Sequence, residues 1–442
     1  MGALNFYCVI GDSDLANRPV NFYQRIMVSR FQFLPVSICV IAFLSFVFLR
    51  AEPLGASSLI ESITKQTIRS NRSGGGITWF HPKACRLPGA NGEPDRVLMT
   101  LQAIGGSDYF GPVHWSESLD SGTTWVGPVR IPALDRVPAP GHPGLLAGVC
   151  DVVPQYHPLT KTTLAMGHVV FYRGERFSSN DQLPRYPVYC VRRSDGSWGE
   201  RRILEWDDPR GGFIYSNNCG QRYVQPNGDI LLAFTFGPKS ENRSVAGVLC
   251  SFDGERLAIK EVGPPLELNH GRGLLEPSIT RFQDRFYLTI RAEDGKGYQS
   301  VSNDGLQWDE KEPWRWDTGE VLSLSSTQQH WLTHSDGLYL VYTRKDYRNS
   351  EVIRWRSPLW VARVDPDSRR LIKATEQTVL PLVGDGVEAP DGVALMGNFH
   401  VTNVSEDESW VTVGEWMPRG SALGDLLVAK IKWAKPNRLV ER

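Results

Sequence analysis

The stretch Ser118-Leu119-Asp120-Ser121-Gly122-Thr123-Thr124-Trp125 fits the pattern S-x-D-x-G-x-x-W at every position. The pattern predicts a tight hairpin turn in which the Asp side chain caps turn amides and the Gly adopts a positive φ. The Trp is expected to pack against a neighbouring strand. Ser302-Asn303-Asp304-Gly305-Leu306-Gln307-Trp308 repeats the pattern with one residue deleted. We interpret both as structural turns.

Six short runs of β-branched and aromatic residues recur with a mean spacing of about 63 residues. Several follow turns that contain Gly or Asp, which is typical of hairpins. The runs lie at 97–101, 163–169, 229–234, 285–290, 338–342 and 410–415. A strand-rich unit of this length matches a four-stranded blade, and such units bury their faces by closing into a ring. The sequence therefore predicts an all-β, six-bladed β-propeller over residues 77–442; the even spacing disfavours a pair of β-sandwiches.

Composition excludes several classes of function. The 442 residues include 48 basic and 49 acidic side chains, and this balance argues against a nucleic-acid partner. No HExxH, GxSxG, P-loop or Rossmann pattern is present, so we predict no cofactor. The seven cysteines include no CxxC pair, which argues against a zinc site, and we predict no metal.

Residues 1–56 read as a leader. The run 31–49 is apolar, carries no charge and is bracketed by Arg30 and Arg50. Read from Met27, it has the basic start, apolar centre and small residues of a signal peptide, but it is also long enough for an uncleaved membrane anchor. Either reading predicts export, to the periplasm or the extracellular space, with membrane contact only through this segment. Residues 57–76 are polar, end in three glycines and read as a linker or a terminal strand.

The two turns and the six repeats together resemble the sialidase superfamily, in which such turns are called Asp boxes or BNR repeats. The resemblance implies an arginine triad that holds a sugar carboxylate. Arg86, in Arg86-Leu87-Pro88 ahead of the first strand run, is similar to the first arginine. Arg291 follows the run 285–290, and Arg356 precedes the stretch 358–364. From the residues alone, such arginines bind a carboxylate through planar forks or form structural ion pairs.

The resemblance also implies acid–base groups. Asp108, after Gly105-Gly106, is similar to the loop aspartate that acts as acid/base, although a loop Asp can also simply cap a turn. Glu276 opens the stretch that leads to Arg291 and is similar to the supporting glutamate; its alternative is an ion pair with an arginine. The tyrosine nucleophile has no counterpart, because the stretch 396–403 offers only Phe399 and His400. The nucleophile stays open: attack by water, positioned by His400, would make the enzyme inverting.

The sequence thus predicts an exported, sialidase-like (exo-alpha-sialidase-like) glycoside hydrolase that acts on an acidic or complex glycan. A second reading is a uronate polysaccharide lyase on the same fold, with His330 or His400 as the base. Gln329-His330-Trp331 has both a stacking ring and polar groups, so we also predict that His330 and Trp331 bind the sugar. A third reading is a non-catalytic glycan-binding propeller, which the missing tyrosine would also predict.

Overall fold

The computed structural model describes residues 58–89, 93–384, 392–418 and 422–440. The leader 1–56, with its apolar run, lies outside the described residues. Within those ranges no helix combines the length and apolarity that a bilayer crossing requires.

The described chain forms 28 strands and six short 3-10 turns. The first eleven strands are β1 (Ile60–Arg69), β2 (Trp79–Leu87), β3 (Arg96–Gly106), β4 (Tyr109–Ser118), β5 (Val126–Arg130), β6 (Val137–Pro138), β7 (Leu145–His157), β8 (Thr162–Arg173), β9 (Arg176–Phe177), β10 (Pro187–Arg192) and β11 (Arg202–Ile203). The next nine are β12 (Ile214–Ser216), β13 (Tyr223–Val224), β14 (Ile230–Gly237), β15 (Ser244–Phe252), β16 (Leu257–Val262), β17 (Leu275–Phe282), β18 (Arg285–Arg291), β19 (Gly297–Ser302) and β20 (Glu312–Pro313). The last eight are β21 (His330–His334), β22 (Gly337–Tyr342), β23 (Leu359–Asp365), β24 (Arg370–Leu371), β25 (Gln377–Leu380), β26 (Phe399–Asn403), β27 (Glu408–Gly414) and β28 (Leu426–Trp433). The 3-10 turns are Pro132–Leu134, Ser179–Asp181, Pro209–Gly211, Tyr347–Asn349, Ile353–Trp355 and Lys373–Thr375.

The strands build six antiparallel sheets, which are the blades of a propeller. The sheet orders are β2-β3-β4-β5, β7-β8-β10-β11, β12-β14-β15-β16, β17-β18-β19-β20, β21-β22-β23-β24 and β26-β27-β28-β1, and the short strands β6, β9, β13 and β25 extend three of them. Each of the six sequence runs coincides, to within one residue, with part of the second strand of its blade, namely β3, β8, β14, β18, β22 and β27. The predicted all-β, six-bladed propeller with four-stranded blades is confirmed.

The first strand completes the last blade. β1 pairs antiparallel with β28, and Ile60 lies opposite Trp433. Leu59 and Ile60 are buried in the same hydrophobic cluster as Trp433. Of the two readings of residues 57–76, a linker or a terminal strand, the structure has the strand: residues 60–69 form β1, because apolar side chains at its start complete the core of the last blade.

The S-x-D-x-G turns join the third and fourth strands of blades one and four. In the first turn, the Ser118 hydroxyl accepts a 2.7 Å bond from the Gly122 amide, and Asp120 accepts a 2.8 Å bond from the Thr124 amide. Gly122 has φ +80°, and the rings of Trp125 and Trp410 lie 6.1 Å apart. These contacts dock the turn of blade one onto the last blade.

In the second turn, the Ser and Asp side chains also accept hydrogen bonds from backbone amides of the turn. Ser302 accepts a 2.9 Å bond from the Gly305 amide, and Asp304 accepts a 2.8 Å bond from the Leu306 amide. Trp308 packs on the cluster that contains residues of blades three and four. Both turns therefore link neighbouring blades.

The inner strands of the blades run in the same direction through the centre of the ring. Along most of these strands, earlier residues line one cavity and later residues line a second one. β2, for example, contributes His81 to the first cavity and Cys85 to the second. The two cavities therefore lie at opposite ends of the central channel. We call them the arginine-lined cavity and the opposite cavity.

Candidate functional site

The arginine-lined cavity collects charged side chains from most of the blades. Its cationic residues are Arg185, Arg243, Arg272, Arg291, Arg354 and Arg356. Its acidic residues are Asp108, Asp151 and Glu276. Arginines outnumber carboxylates here, so the cavity is suited to an anionic ligand.

Arg291 and Glu276 form an ion pair within this cavity. Arg291 ends β18 and is 6 % exposed, and its Nη1 donates to Glu276 Oε1. Glu276 has φ +45° and lies where the pairing of β17 with β18 shifts register. This bulge turns the Glu276 side chain toward Arg291. The ion pair fixes the guanidinium of Arg291 in the cavity wall.

Arg354 and Arg356 come from the 3-10 turn before β23. Arg354 has φ +52° and donates to the carbonyl and hydroxyl of Ser326. The Nε of Arg356 is buried and has no hydrogen-bond partner among the described residues. Burial, reinforced by the charges of Arg354 and Arg291, lowers the pKa of Arg356 to about 9. Both effects mark a partly desolvated cation whose buried nitrogen has no acceptor, and an anionic ligand would supply one.

Arg272 is paired with a carboxylate, that of Glu293. Its Nε donates to Glu293 over 2.9 Å. Burial alone would raise the pKa of Glu293, but the hydrogen bond and charge of Arg272 outweigh burial and lower the pKa to about 2. Arg272 is therefore a supporting cation rather than an unpaired one.

The ion pair between Arg272 and Glu293 should make the stability of the protein depend on pH. The folded pKa of Glu293, about 2, lies below its ordinary value of 4.5, so its stabilising contribution is present above about pH 4.5 and is lost as the pH falls toward 2. We expect Glu293→Gln to lose on the order of 2 kcal/mol of unfolding free energy at pH 6 and much less at pH 3. Urea unfolding across this range measures it, with the exposed Glu267→Gln as control. Parallel pH slopes in Glu293→Gln and the wild type would contradict the prediction.

Asp108 lies at the tip of the hairpin between β3 and β4. It has φ +56°, is exposed and lines the cavity. The Tyr172 hydroxyl donates to its carbonyl over 3.3 Å, which ties the hairpin tip to the second blade. The left-handed backbone at Asp108 thus sets where its carboxyl group enters the cavity.

Arg86 is not in this cavity. It lies on β2 five residues beyond His81, about 17 Å further along an extended strand and toward the opposite cavity. Its Nε is 2.5 Å from Asp95 Oδ2. The prediction that Arg86 converges with Arg291 and Arg356 is therefore corrected. His81 occupies the place on β2 that faces the arginines.

The predicted histidines and tryptophan are also elsewhere. His400 and Trp331 line the opposite cavity, and the rings of His330 and His400 lie 5.2 Å apart. Burial, above all, holds the pKa of both histidines well below the ordinary range. Trp331 is 2 % exposed and donates to the Ser278 carbonyl, so its ring is part of the core and not a stacking surface. None of the three contacts the arginine-lined cavity.

The sequence analysis missed the arginines of the cavity other than Arg291 and Arg356, and it also missed a group of four neighbouring residues: His81, Cys150, Asp151 and His168. His81 Nε2 lies 3.5 Å from Asp151 Oδ1, and Cys150 Sγ lies 3.4 Å from His168 Nε2. Burial, only partly offset by Asp151, lowers the pKa of His168 to about 4. No sequence motif joins these residues; their proximity depends on strand pairing.

Comparison with protein families found no match, and neither did comparison with curated proteins. Solved structures do match. A Dyadobacter fermentans protein of unknown function aligns with TM-score 0.58 and 15 % identity over 85 % of this chain and 100 % of its own. Trypanosoma rangeli sialidase aligns with TM-score 0.57 and 12 % identity over 84 % of this chain and 59 % of its own. A Hadza microbial sialidase aligns with TM-score 0.57 and 13 % identity over 84 % of this chain and 68 % of its own. This chain thus spans about three fifths of the trypanosomal enzyme and has a sialidase-like propeller fold.

Proposed function

We propose that this protein is a sialidase-like glycoside hydrolase that binds an acidic sugar in the arginine-lined cavity. One observation carries the proposal: Arg356, beside Arg291 and Arg354, is a half-buried arginine whose buried Nε has no hydrogen-bond partner in the described chain. A sugar carboxylate would accept from these planar donors and neutralise them. Trypanosoma rangeli sialidase has been solved in complex with sialic acid, which makes that sugar acid the first ligand to test.

The catalytic step is assigned to Asp108. As an exposed carboxyl group at the edge of the cavity, it can protonate a leaving oxygen or activate water. No tyrosine lines the cavity within the described ranges. Water is therefore the nucleophile in this proposal, which implies inversion at the anomeric carbon. His400, at the opposite cavity, has no part in it.

The same lack of a lining tyrosine favours a second candidate, a propeller that binds an acidic glycan without cleaving it. The lyase reading gains no such support, because its proposed bases, His330 and His400, lie away from the arginines. Export through the segment 31–49 stays a prediction.

The experiment separates binding from turnover. We expect saturable heat in calorimetry with sialic acid or glucuronic acid and none with galactose. We also expect release of the fluorophore from a sialoside or uronide, and Asp108→Asn should reduce release by at least about 100-fold while binding persists. Asp284→Asn is the control, because Asp284 is fully exposed on a distant turn. Binding without any release would support the second candidate, and no saturable heat with either acid would overturn both.

A glycine controls the position of Arg356. A Cβ at Gly397 would lie 2.6 Å from Arg356 Cδ and 2.8 Å from its Nε, so the arginine must move. We expect Gly397→Ala to weaken binding of the sugar acid about tenfold with little change in unfolding free energy, because a flexible side chain yields before the backbone does. Gly111→Ala is the control, since its Cβ meets nothing closer than 3.5 Å. Unchanged affinity in Gly397→Ala would show that Arg356 does not contact the ligand.

A further inference from the structure

Cys150, Asp151 and His168 form a compact cluster in the wall of the arginine-lined cavity. Each offers one ligand atom, and these atoms all lie within 4.8 Å of one another. Cys150 Sγ is 3.4 Å from His168 Nε2. That separation is close to the edge of a tetrahedron whose vertices are about 2.1–2.3 Å from a central ion.

The fold builds this cluster through a bulge. Cys150 of β7 pairs directly with His168 of β8, and the register then shifts before Val153. In a regular strand, consecutive side chains point to opposite faces, so Cys150 and Asp151 would diverge. Asp151 instead has φ +55°, and the bulge turns its carboxylate back toward Cys150 and His168.

A glycine permits the close approach of the two strands. A Cβ at Gly167, next to His168, would lie 2.2 Å from the Cys150 carbonyl oxygen. Any other residue at this position would push β8 away from the bulge and separate His168 from Cys150.

The carboxylate of the cluster is not satisfied by the protein. Asp151 Oδ1 is buried and has no hydrogen-bond partner among the residues that the structure describes. His81 Nε2, on a side chain that is 3 % exposed, lies 3.5 Å from this oxygen. A buried carboxylate oxygen without a donor is costly unless a cation neutralises it.

We propose that Cys150, Asp151 and His168 bind one zinc ion. Thiolate, imidazole and carboxylate are the ligand types that zinc prefers, and the softness of the thiolate argues against Mg²⁺ and Ca²⁺. Three protein ligands leave a fourth position open to the cavity, and His81 Nε2 lies beside the carboxylate, 3.5 Å from Oδ1. Binding releases the thiol proton of Cys150 to solvent. The site goes beyond the proposed function, because it requires no sugar.

The charge balance around the site is acceptable. The thiolate and the carboxylate supply two negative charges, which balance the two positive charges of the zinc ion. Lys83 and Arg185 act on the cluster through their positive charges. We therefore expect weaker binding than at a four-ligand structural zinc site.

Cobalt reconstitution of the full chain tests this inference. After treatment with a chelator, titration with Co²⁺ should give a sulfur-to-cobalt charge-transfer band that saturates at one equivalent, and Zn²⁺ should abolish the band by displacement. Cys150→Ala should remove the band and weaken Co²⁺ binding at least tenfold. Cys190→Ala is the matched control, because Cys190 is a buried thiol of the same blade that does not line the cavity.

Other variants keep the test decisive if Cys150→Ala folds poorly. His168→Gln should retain a sulfur band but weaken Co²⁺ binding at least tenfold. The absence of a band in the wild-type protein, or an unchanged band in folded Cys150→Ala, would overturn the zinc site. Co²⁺ binding without sugar binding would count only against the proposed function, and sugar binding without a cobalt band only against the metal.

Discussion

Replacing Arg356 by Met should weaken binding of the acidic sugar about 10- to 150-fold without lowering the stability of the fold. A hydrogen bond to a charged group contributes about 1.5–3 kcal/mol, which corresponds to that range of affinity. The buried Nε of Arg356 has no hydrogen-bond partner in the described chain, and burial lowers its pKa to about 9. Both facts mean that the unliganded protein carries a partly desolvated cation. A methionine of similar length removes that cost while filling the space of the stem.

The combination of effects distinguishes a ligand-binding arginine from a structural one. Calorimetry with sialic acid or glucuronic acid measures the affinity, and thermal unfolding measures the stability. Arg86→Met is the control: Arg86 pairs with Asp95 at the other end of the channel, so its loss should leave the affinity unchanged. Unchanged affinity together with lower stability in Arg356→Met would show that Arg356 serves the fold.

The architecture could be predicted because it repeats. Each of the six repeating runs falls on the second strand of a blade, which is largely buried on both faces and therefore reads as continuous apolar sequence. The inner strands carry mixed and polar sequence, since they face the channel. The sequence of β1 left a linker and a terminal strand both open, because only one of its ten side chains is fully buried.

The sequence placed a residue correctly in the candidate site only where that residue lies at an end of a strand that meets the cavity. Glu276 begins an inner strand and Arg291 ends its neighbour, so antiparallel pairing brings them together. Arg86 belongs to a suitable tripeptide but lies near the end of β2. It is five residues beyond His81, which places it toward the opposite cavity.

The Cys150–Asp151–His168 cluster could not be predicted, because it depends on register. Cys150 and His168 are 18 residues apart, and their contact follows from one strand pair and one bulge. A spacing rule built on CxxC pairs does not detect ligands that come from two strands.

Replacing Gly305 by Ala should lower the free energy of unfolding by about 3 kcal/mol or more. Gly305 has φ +79°, which costs an L-residue about 1–2 kcal/mol. The new Cβ would also lie 2.1 Å from Leu231 Cδ2 in β14, and Leu231 is fully buried. Overpacking of this kind adds about 1–3 kcal/mol, because the neighbouring blade has no room to yield.

Gly319→Ala separates the two contributions. Gly319 has φ +89°, but a Cβ there would meet nothing within 4 Å, so this variant carries the backbone cost alone. Urea unfolding of both variants should therefore show a larger loss for Gly305→Ala, and the difference measures the contact between blades three and four. Equal losses would mean that the turn acts within its own blade. The larger loss would explain why the S-x-D-x-G turn recurs: its glycine is required both by the hairpin and by the blade packed against it.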